Sequence, residues 1–407
     1  MDLTERHDLR SGAAPWDDGE PDNAPSDKLP GRLVDVAICG AGIMGAMLAD
    51  RLSAAGLAVA VLDRRRPGQG STSASTALVL WEADFPVTHL VRKLGEQEAV
   101  RRWRRVHHTA TSLWKRLERE DLASEHTARS SLYLDGSVLD EKGLRAEAEL
   151  RARHGLPSVF LPAEATAERF GIAPRPALVS SDSFEANPLG LTLALLDMAR
   201  KRDATVTYPA DVIRVAHDAA AVVLVSDQSE VRARQVILAS GYERPRLFLP
   251  AAFSLRATYA IATAPGVAPL WRENAMIWQA AHGYLYARVD PDGRVIAGGG
   301  DESFGDARQR DARIPEKAQS IAADLAKLVG APIEPRARWA AVFGASPDGL
   351  PAIGRAANSE GLWLASGFGG NGITFAALAA ELLTAELTGS PDPDLPCFDP
   401  YRFEGDN

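Results

Sequence analysis

From residue 34 onwards the chain switches between short apolar runs and stretches whose apolar residues recur every three or four positions. Val34 to Ile38 is such a run, interrupted only by Asp35, and it predicts a strand. Ile43, Met44, Met47, Leu48 and Leu52 then keep helical spacing, which predicts a helix over 43–55. Gly56 ends it, and the apolar run from Leu57 to Leu62 predicts a second, buried strand. Two apolar strands joined by a helix make a βαβ unit in which the strands lie parallel.

Helical spacing over 92–121 is broken at Gly95, and another helix is expected over 189–202. Strands follow near 205–207, 220–225 and 236–239, the last running into a turn at Ser240 and Gly241. Strand patterns dominate from 254 to 300, at 255–263, 276–279, 284–289 and 295–297, with Pro291, Asp292 and Gly293 as a hairpin turn. Helices over 314–329 and 372–387 complete the pattern, the latter stopped by Gly389 and Pro391. No internal repeat is visible. The order predicts a βαβ domain interrupted by a largely antiparallel one, with the chain returning to the first at its end.

Residues 1–31 stand apart. They are rich in Asp, Pro, Gly and Ala and hold too few aliphatics to offset their ordering entropy, so a mobile arm is expected. The alternative is a strap across the body, anchored by Trp16. The whole chain of 407 residues, 46% hydrophobic and 24% charged, fits one to three globular domains. Its 45 Lys and Arg against 54 Asp and Glu leave a net charge of −9, which gives no general attraction to phosphate backbones or anionic lipid. Nucleic acid and membrane are therefore not expected partners. No apolar run approaches a membrane span, and the first thirty residues lack the apolar core of a signal peptide. Cys39 and Cys397 form neither a disulfide framework nor a CxxC motif, and the histidines show no ligand spacing. A reducing cytoplasm and no metal are expected.

Gly40, Gly42 and Gly45 form a GxGxxG run, with Ile43 and Met44 between, placed between the first strand and the first helix. Such glycines permit a tight turn, close approach of backbone N–H groups to a pyrophosphate, and close helix–strand packing. Asp63 ends the second strand twenty-one residues after Gly42, where a carboxylate accepts ribose hydroxyls and disfavours a 2′-phosphate. FAD or NAD is thus expected over NADP. Arg64 follows, then a run of small and hydroxyl residues, Ser71, Thr72, Ser73, Ala74, Ser75, Thr76 and Ala77, which either lets backbone approach a flat ring or is a plain polar loop.

Three later segments make the pattern specific: Tyr286 to Asp301 with Gly298, Gly299 and Gly300; Arg338 to Gly354 with Trp339, Phe343, Gly344, Asp348 and Pro351; and Gly367 to Thr374 with Gly369, Gly370, Asn371, Gly372 and Ile373. In this order, with the glycine run and Asp63, they resemble the D-amino-acid-oxidase superfamily of FAD enzymes, most of all the branch containing glycine oxidase, sarcosine oxidase and γ-glutamylputrescine oxidase. The resemblance runs from about Val34 to Phe403. It implies an α/β fold of the glutathione-reductase type: a Rossmann-like FAD-binding domain over 32–92, 160–250 and 340–403, and an α+β substrate domain with an antiparallel sheet over 93–159 and 251–339. It further implies that backbone groups of Val212 hold the adenine, that Gly241 lies near the diphosphate, and that residues 369–374 meet the flavin pyrimidine edge, where unsatisfied helix N–H groups stabilise negative charge. Sarcosine oxidases tether flavin through a cysteine in the segment that here reads Phe343 to Pro347; none is present, so non-covalent FAD is expected. The lysine that some of these oxidases place beside the flavin has no counterpart in 259–300, which leaves oxidase and dehydrogenase both open.

The expected activity is oxidation of the C–N bond of a small amine or amino acid by hydride transfer to flavin N5, giving an imine that hydrolyses, with O2 or a redox partner as electron acceptor. The alternatives are a 2-hydroxy-acid dehydrogenase and a non-catalytic flavin-binding subunit. On an extended strand His282, Tyr284, Tyr286 and Arg288 share one face, while Leu285, Ala287 and Val289 share the other. Tyr284 and Tyr286 are expected to position substrate, and His282 to be a surface or structural residue. Tyr259, on a neighbouring strand, is expected to complete the cavity or to be an aromatic core residue. Arg338 is either a carboxylate-binding guanidinium or part of a structural salt bridge, and Arg288 is its rival for that role. Glu82 and Asp84, if extended, point the same way and would take a distal ammonium; otherwise they are solvated.

Overall fold

The computed structural model describes all residues except 1, 4–5, 18–25, 121, 123–125, 219–220, 228, 244–246, 305 and 405–407. The predicted βαβ unit is present: strands Val34–Cys39 and Val59–Leu62 pair in parallel, joined by the helix Ile43–Ala54. Glu230–Leu238 and then Leu362–Ser366 add in parallel on one side, and Thr205–Thr207 on the other. Alternation along the first strand explains why the run is apolar throughout. Val36 and Ile38 pack under the helices Ile43–Ala54, Pro188–Arg200 and Gly372–Leu387, while Ala37 and Cys39 pack on the opposite face against Val212, Val215 and Leu224. A parallel sheet covered on both faces has no polar side to show.

The second sheet is mostly antiparallel. Its order among the described residues is Arg10–Gly12, Ala337–Ala345, Ser254–Ala262, Val295–Glu302, Tyr286–Val289, Met276–Gln279, His126–Leu134, Ala177–Ala186 and Leu78–Val79. Ala257, Tyr259, Ile261, Leu285, Ala287 and Val289 form one face, packed on Ile321 and Leu325 of the helix Ile314–Val329. Tyr286 and Arg288 therefore face the other way, as alternation predicts. The division read from the sequence differs at these points: Ala177–Ala186 within 160–250, Leu78–Val79 within 32–92, and residues 340–345 of the strand Ala337–Ala345 all lie in this second sheet. The polar middle of Ala177–Ala186, Ser180 to Ser183, hid it as a strand.

The expected mobile arm is a strap over the residues described. Arg10–Gly12 extends the second sheet by pairing with Trp339–Ala341. Leu3 and Leu9 are buried, and Trp16 sets its ring edge-on to Trp339 at 6.0 Å between centroids. Backbone pairing offsets the ordering cost that composition alone leaves uncompensated.

Candidate active site

The turn after the first strand is shaped by its glycines. Gly40 holds φ at +119°, and a Cβ on Gly45 would stand 1.8 Å from the Gly40 carbonyl oxygen, so the helix can start this close to the turn only without a side chain there. The helix Ile43–Ala54 has no side-chain cap, and Gly42 and Ile43 line a cavity. Asp63 closes the turn from the second strand: its two carboxylate oxygens accept from the amides of Ala41 (2.7 Å) and Arg65 (2.8 Å). Burial pushes its pKa up, and those two amides and the Arg65 charge oppose the rise. Each oxygen keeps a second lone pair for a hydroxyl. Arg64 and Arg65 both pair with the buried Glu243, which also accepts from the His7 amide of the strap at 3.0 Å.

The cavity runs on along Ser71, Thr72, Ala74, Ser75, Thr76 and Ala77. This loop is fixed by three side chains from distant segments, each donating to one of its carbonyls. Trp16 Nε1 donates to Ser73 O (2.8 Å), Trp339 Nε1 to Ala74 O (2.9 Å) and Arg288 Nε to Thr76 O. Arg288 also donates to Ala186 O at 3.1 Å and pairs with Glu185 at 3.4 Å, all in the interior. Each of its three nitrogens serves the fold and the side chain is buried off the cavity lining, so the role of carboxylate binder considered for it does not stand.

At the far end the cavity meets the start of the helix Gly372–Leu387, whose N-cap Asn371 makes no side-chain cap. Asn371 Nδ2 instead donates to Glu82 O, and Thr374 Oγ1 to Leu80 O at 2.7 Å, lacing this segment to the stretch after the loop. Asp84 accepts from the Gly370 amide at 2.6 Å and lies beside the Tyr284 hydroxyl. Glu82 points elsewhere: it is buried with Arg151 (3.4 Å) and Ser131 Oγ (3.3 Å), so the expected Glu82–Asp84 pair is split between two environments. Glu82 is fully buried and Asp84 is half-buried on the cavity wall, because the segment is not extended on a surface but runs against the second sheet.

Tyr284 and Tyr286 line the cavity with ring centroids 5.6 Å apart. Tyr286 lies across Gly298, where a Cβ would be 2.3 Å from its hydroxyl oxygen. Burial pushes Tyr286 up to about 12 and Tyr284 well above the usual tyrosine range, so both hydroxyls stay protonated at neutral pH. Asp301 joins them and is pushed up to about 6, first by burial and then by the charge of Asp84, with Thr258, Arg256 and Lys317 opposing. Its Oδ1 is enclosed and has no hydrogen-bond partner. Trp278, stacked on Tyr133 at 3.8 Å, completes this end.

The structure thus brings together at the cavity Gly40, Gly42, Ile43, Met44, Asp63, Arg64, the loop residues just given, Gly241, Gly369, Gly370, Asn371, Gly372, Ile373, Tyr284 and Tyr286. Gly45, Ser73 and Thr374 stand behind the lining and shape it. Three expected site residues do not line the cavity. The Val212 side chain is buried on the far face of the nucleotide sheet, two residues after Ala210, whose amide donates to Asp63 O at 2.7 Å; the expected contact was through the Val212 backbone. Tyr259 is on the helix-covered face of the second sheet, its hydroxyl donating to Glu302 at 2.9 Å; alternation with Ala257 and Ile261 carried that signal. Arg338 is exposed, opposite Ile261 at the end of its strand, and does not line the cavity. Sequence reading missed Leu9, Thr258, Trp278, Glu243 and Asp301. Asp301 ends the triple-glycine segment and was legible there; the rest carry no local signal.

A dinucleotide fits this lining: two helix N-termini whose N-cap residues make no side-chain cap open onto one cavity, the Ile43 amide meeting the Thr72 hydroxyl (3.0 Å), and Gly42 and Gly372 carry no side chain there. Among the described residues no helix is long and apolar enough to cross a membrane, and no three potential ligands gather to hold a metal. The family described as FAD dependent oxidoreductase (DAO) matches residues 35–386. The chain is 24% identical over 397 residues to glycine oxidase of Pseudomonas aeruginosa, covering 90% of this chain and 97% of that one. It is 28% identical over 402 residues to the tRNA 5-methylaminomethyl-2-thiouridine biosynthesis bifunctional protein MnmC of Azoarcus, covering 90% of this chain but only 59% of that protein. A 51% identical match to the Polaromonas naphthalenivorans protein of the same name spans 55 residues, 14% of this chain and 9% of that one. The crystal structure of glycine oxidase from Geobacillus kaustophilus superposes with a TM-score of 0.74 at 19% identity, over 91% of this chain and 98% of that one. With a fold, a nucleotide turn and a family match that span nearly the whole chain, the protein belongs to the DAO family of FAD-dependent oxidoreductases.

Proposed function

We propose that the enzyme oxidises the C–N bond of a small amine or amino acid. One observation carries this reading: a single cavity joins the backbone-lined nucleotide end to an enclosed chamber walled by Tyr284, Tyr286, Trp278, Asp84 and Asp301. The nucleotide sheet would hold FAD without a covalent link, through the turn at Gly40 and Gly42, Asp63, the loop from Ser71 to Ala77, and the segment from Gly369 to Ile373. Bound FAD supplies a hydride acceptor at N5. The chain's own part is to hold an unprotonated amine with its C–H bond facing that acceptor and to keep bulk water out. As the C–H electron pair leaves with hydrogen as hydride, the nitrogen lone pair forms C=N, and the N–H proton passes to solvent. Water then adds to the imine and releases a carbonyl compound and ammonia, or an amine where the substrate nitrogen is secondary. Two neutral tyrosine hydroxyls suit this task, since they orient a nitrogen without adding charge.

The electrons pass on to O2 or to a redox partner, and no lysine stands among the cavity-lining residues to favour the first. Two buried cysteines outside any disulfide, Cys39 and Cys397, support work in a reducing compartment such as the cytoplasm. A polynucleotide substrate, which the name of the Azoarcus relative suggests for that protein, is disfavoured by the net charge of −9.

The test is anaerobic mixing of the purified holoenzyme with amines, amino acids and 2-hydroxy acids while the flavin spectrum is followed. Amines or amino acids should bleach it. Bleaching by 2-hydroxy acids alone would turn the assignment to a hydroxy-acid dehydrogenase, and a flavin that no compound reduces would leave a non-catalytic flavin-binding subunit.

A further inference from the structure

Resting on that reading, we propose that Asp84 and Asp301 form an ammonium subsite and that the preferred substrates are aliphatic diamines: one amine is oxidised and a second, protonated, sits between the two carboxylates. Both side chains line the far end of the cavity with Tyr284, Tyr286 and Trp278. Two carboxylates near each other in an enclosed space are costly unless a cation joins them. Asp84 meets part of its need through the Gly370 amide, but Asp301 Oδ1 is enclosed, partnerless and on the cavity wall. The aromatic rings beside them offer the π-faces that favour a cation.

The chamber lacks the opposite equipment. The arginines on the cavity lining, Arg64 and Arg65, are at the nucleotide end and paired with Glu243. Arg288 is committed to Thr76, Ala186 and Glu185, and Lys317 donates to Gly300 O from the helix on the other face of the sheet. Arg256, whose charge reaches both aspartates, is exposed and does not line the cavity. A substrate carboxylate entering here would meet two like charges, with Arg256 the nearby guanidinium but off the lining, whereas an ammonium meets two acceptors on the cavity wall. Charge-assisted hydrogen bonds of this kind make a discrimination of about tenfold to a hundredfold reasonable.

The experiment uses the FAD-loaded enzyme and three compounds that share one reacting aminomethyl group and one chain length. Their distal ends are ammonium, methyl and carboxylate. The rate of anaerobic flavin reduction over concentration should favour the distal ammonium over the methyl by at least tenfold, with the carboxylate slowest. Asp301→Asn should collapse the ammonium-to-methyl ratio towards one, and Asp84→Asn, which keeps an acceptor for the Gly370 amide, should lower it. A carboxylate-bearing compound that reacts fastest would overturn the subsite and leave amine oxidation standing. A binding arm separates the two readings. A diamine of the same length whose two nitrogen-bearing carbons carry methyl groups in place of hydrogen has no C–H bond to give up, yet it keeps its ammonium N–H groups and should perturb the oxidised flavin spectrum, with its Kd raised at least tenfold in Asp301→Asn. If it perturbs nothing in the wild-type enzyme, or binds the variant as tightly, the subsite is wrong whether or not any amine is oxidised.

Discussion

At the nucleotide end of the cavity the working groups come from one stretch of chain. Gly40, Gly42, Gly45 and Asp63 lie within twenty-four residues and act through the backbone: a bare turn, a helix start whose N-cap is a glycine and a carboxylate that ties two amides. At the other end Asp84, Thr258, Trp278, Tyr286 and Asp301 arrive from separate strands and connections, and they act through side chains. Between the two runs the loop from Ser71 to Ala77, local in sequence but held by Trp16, Trp339 and Arg288 from three remote segments. The contrast teaches that a site for a fixed group is carried by local backbone geometry, while a site for a variable group is assembled by the sheet.

Changes at the nucleotide end should therefore be all-or-none. Gly45→Val forces a Cβ into the Gly40 carbonyl, and the expected result is a chain that retains no FAD after purification, read as flavin-to-protein ratio. Full retention would break the comparison at its base. Arg288→Met is next: it leaves Glu185 with only Arg129 and frees the Thr76 carbonyl, so a loss of about 3 kcal/mol in denaturant stability is expected, together with weaker FAD binding. Stability lost with FAD affinity unchanged would show that the loop holds its shape alone. Trp16→Ala removes the one of the loop's three anchors that the strap supplies and should cost about 1–2 kcal/mol in the same assay.

At the substrate end the expected effects are graded and depend on pH. Asp301 must be ionised to hold a cation, and with its pKa pushed up to about 6, kcat/KM for amines should fall as pH drops through that value. Asp84, Tyr284, Tyr286 and Thr258 are its polar neighbours in the chamber, and Arg256 and Lys317 act on it from outside. Asp301→Asn should abolish that acid limb; a limb that persists would assign it to another group. The sign for stability is the reverse. Native Asp301 keeps a proton that the unfolded chain, with its value near 3.8, has released, so its contribution makes the chain free of ligand less stable as pH rises between those values. Smallest of all, Arg338→Ala should change stability by under about 0.5 kcal/mol and leave amine kinetics unaltered, because that side chain is exposed and off the cavity. A large rise in KM would place Arg338 in the site after all.

Much of the fold was legible before any coordinates. The helices Ile314–Val329 and Gly372–Leu387 end where the pattern and the stop residues put them, and the βαβ unit differs from expectation by a residue or two at its ends. His126–Leu134 and Ala177–Ala186 were not legible, because their polar residues are satisfied by neighbours far along the chain, such as Ser131 with Trp278 Nε1 and Ser180 with Ser158. The strap was misread for the same reason: its backbone finds partners on a sheet edge that composition cannot see.

By itself, then, the sequence determined the glycine turn, the position of Asp63 at the end of the second strand and the alternation that turns Tyr286 from the helix-covered face. Each depends on φ/ψ, spacing or period, which neighbouring residues set among themselves. Only the tertiary structure decided that Arg288 serves the fold, that Glu82 and Asp84 part company, and that Asp84 meets Asp301 in one enclosed chamber. Charge and hydrogen-bond partners are assigned by distance in space, and the pairing of strands far apart in the chain sets those distances.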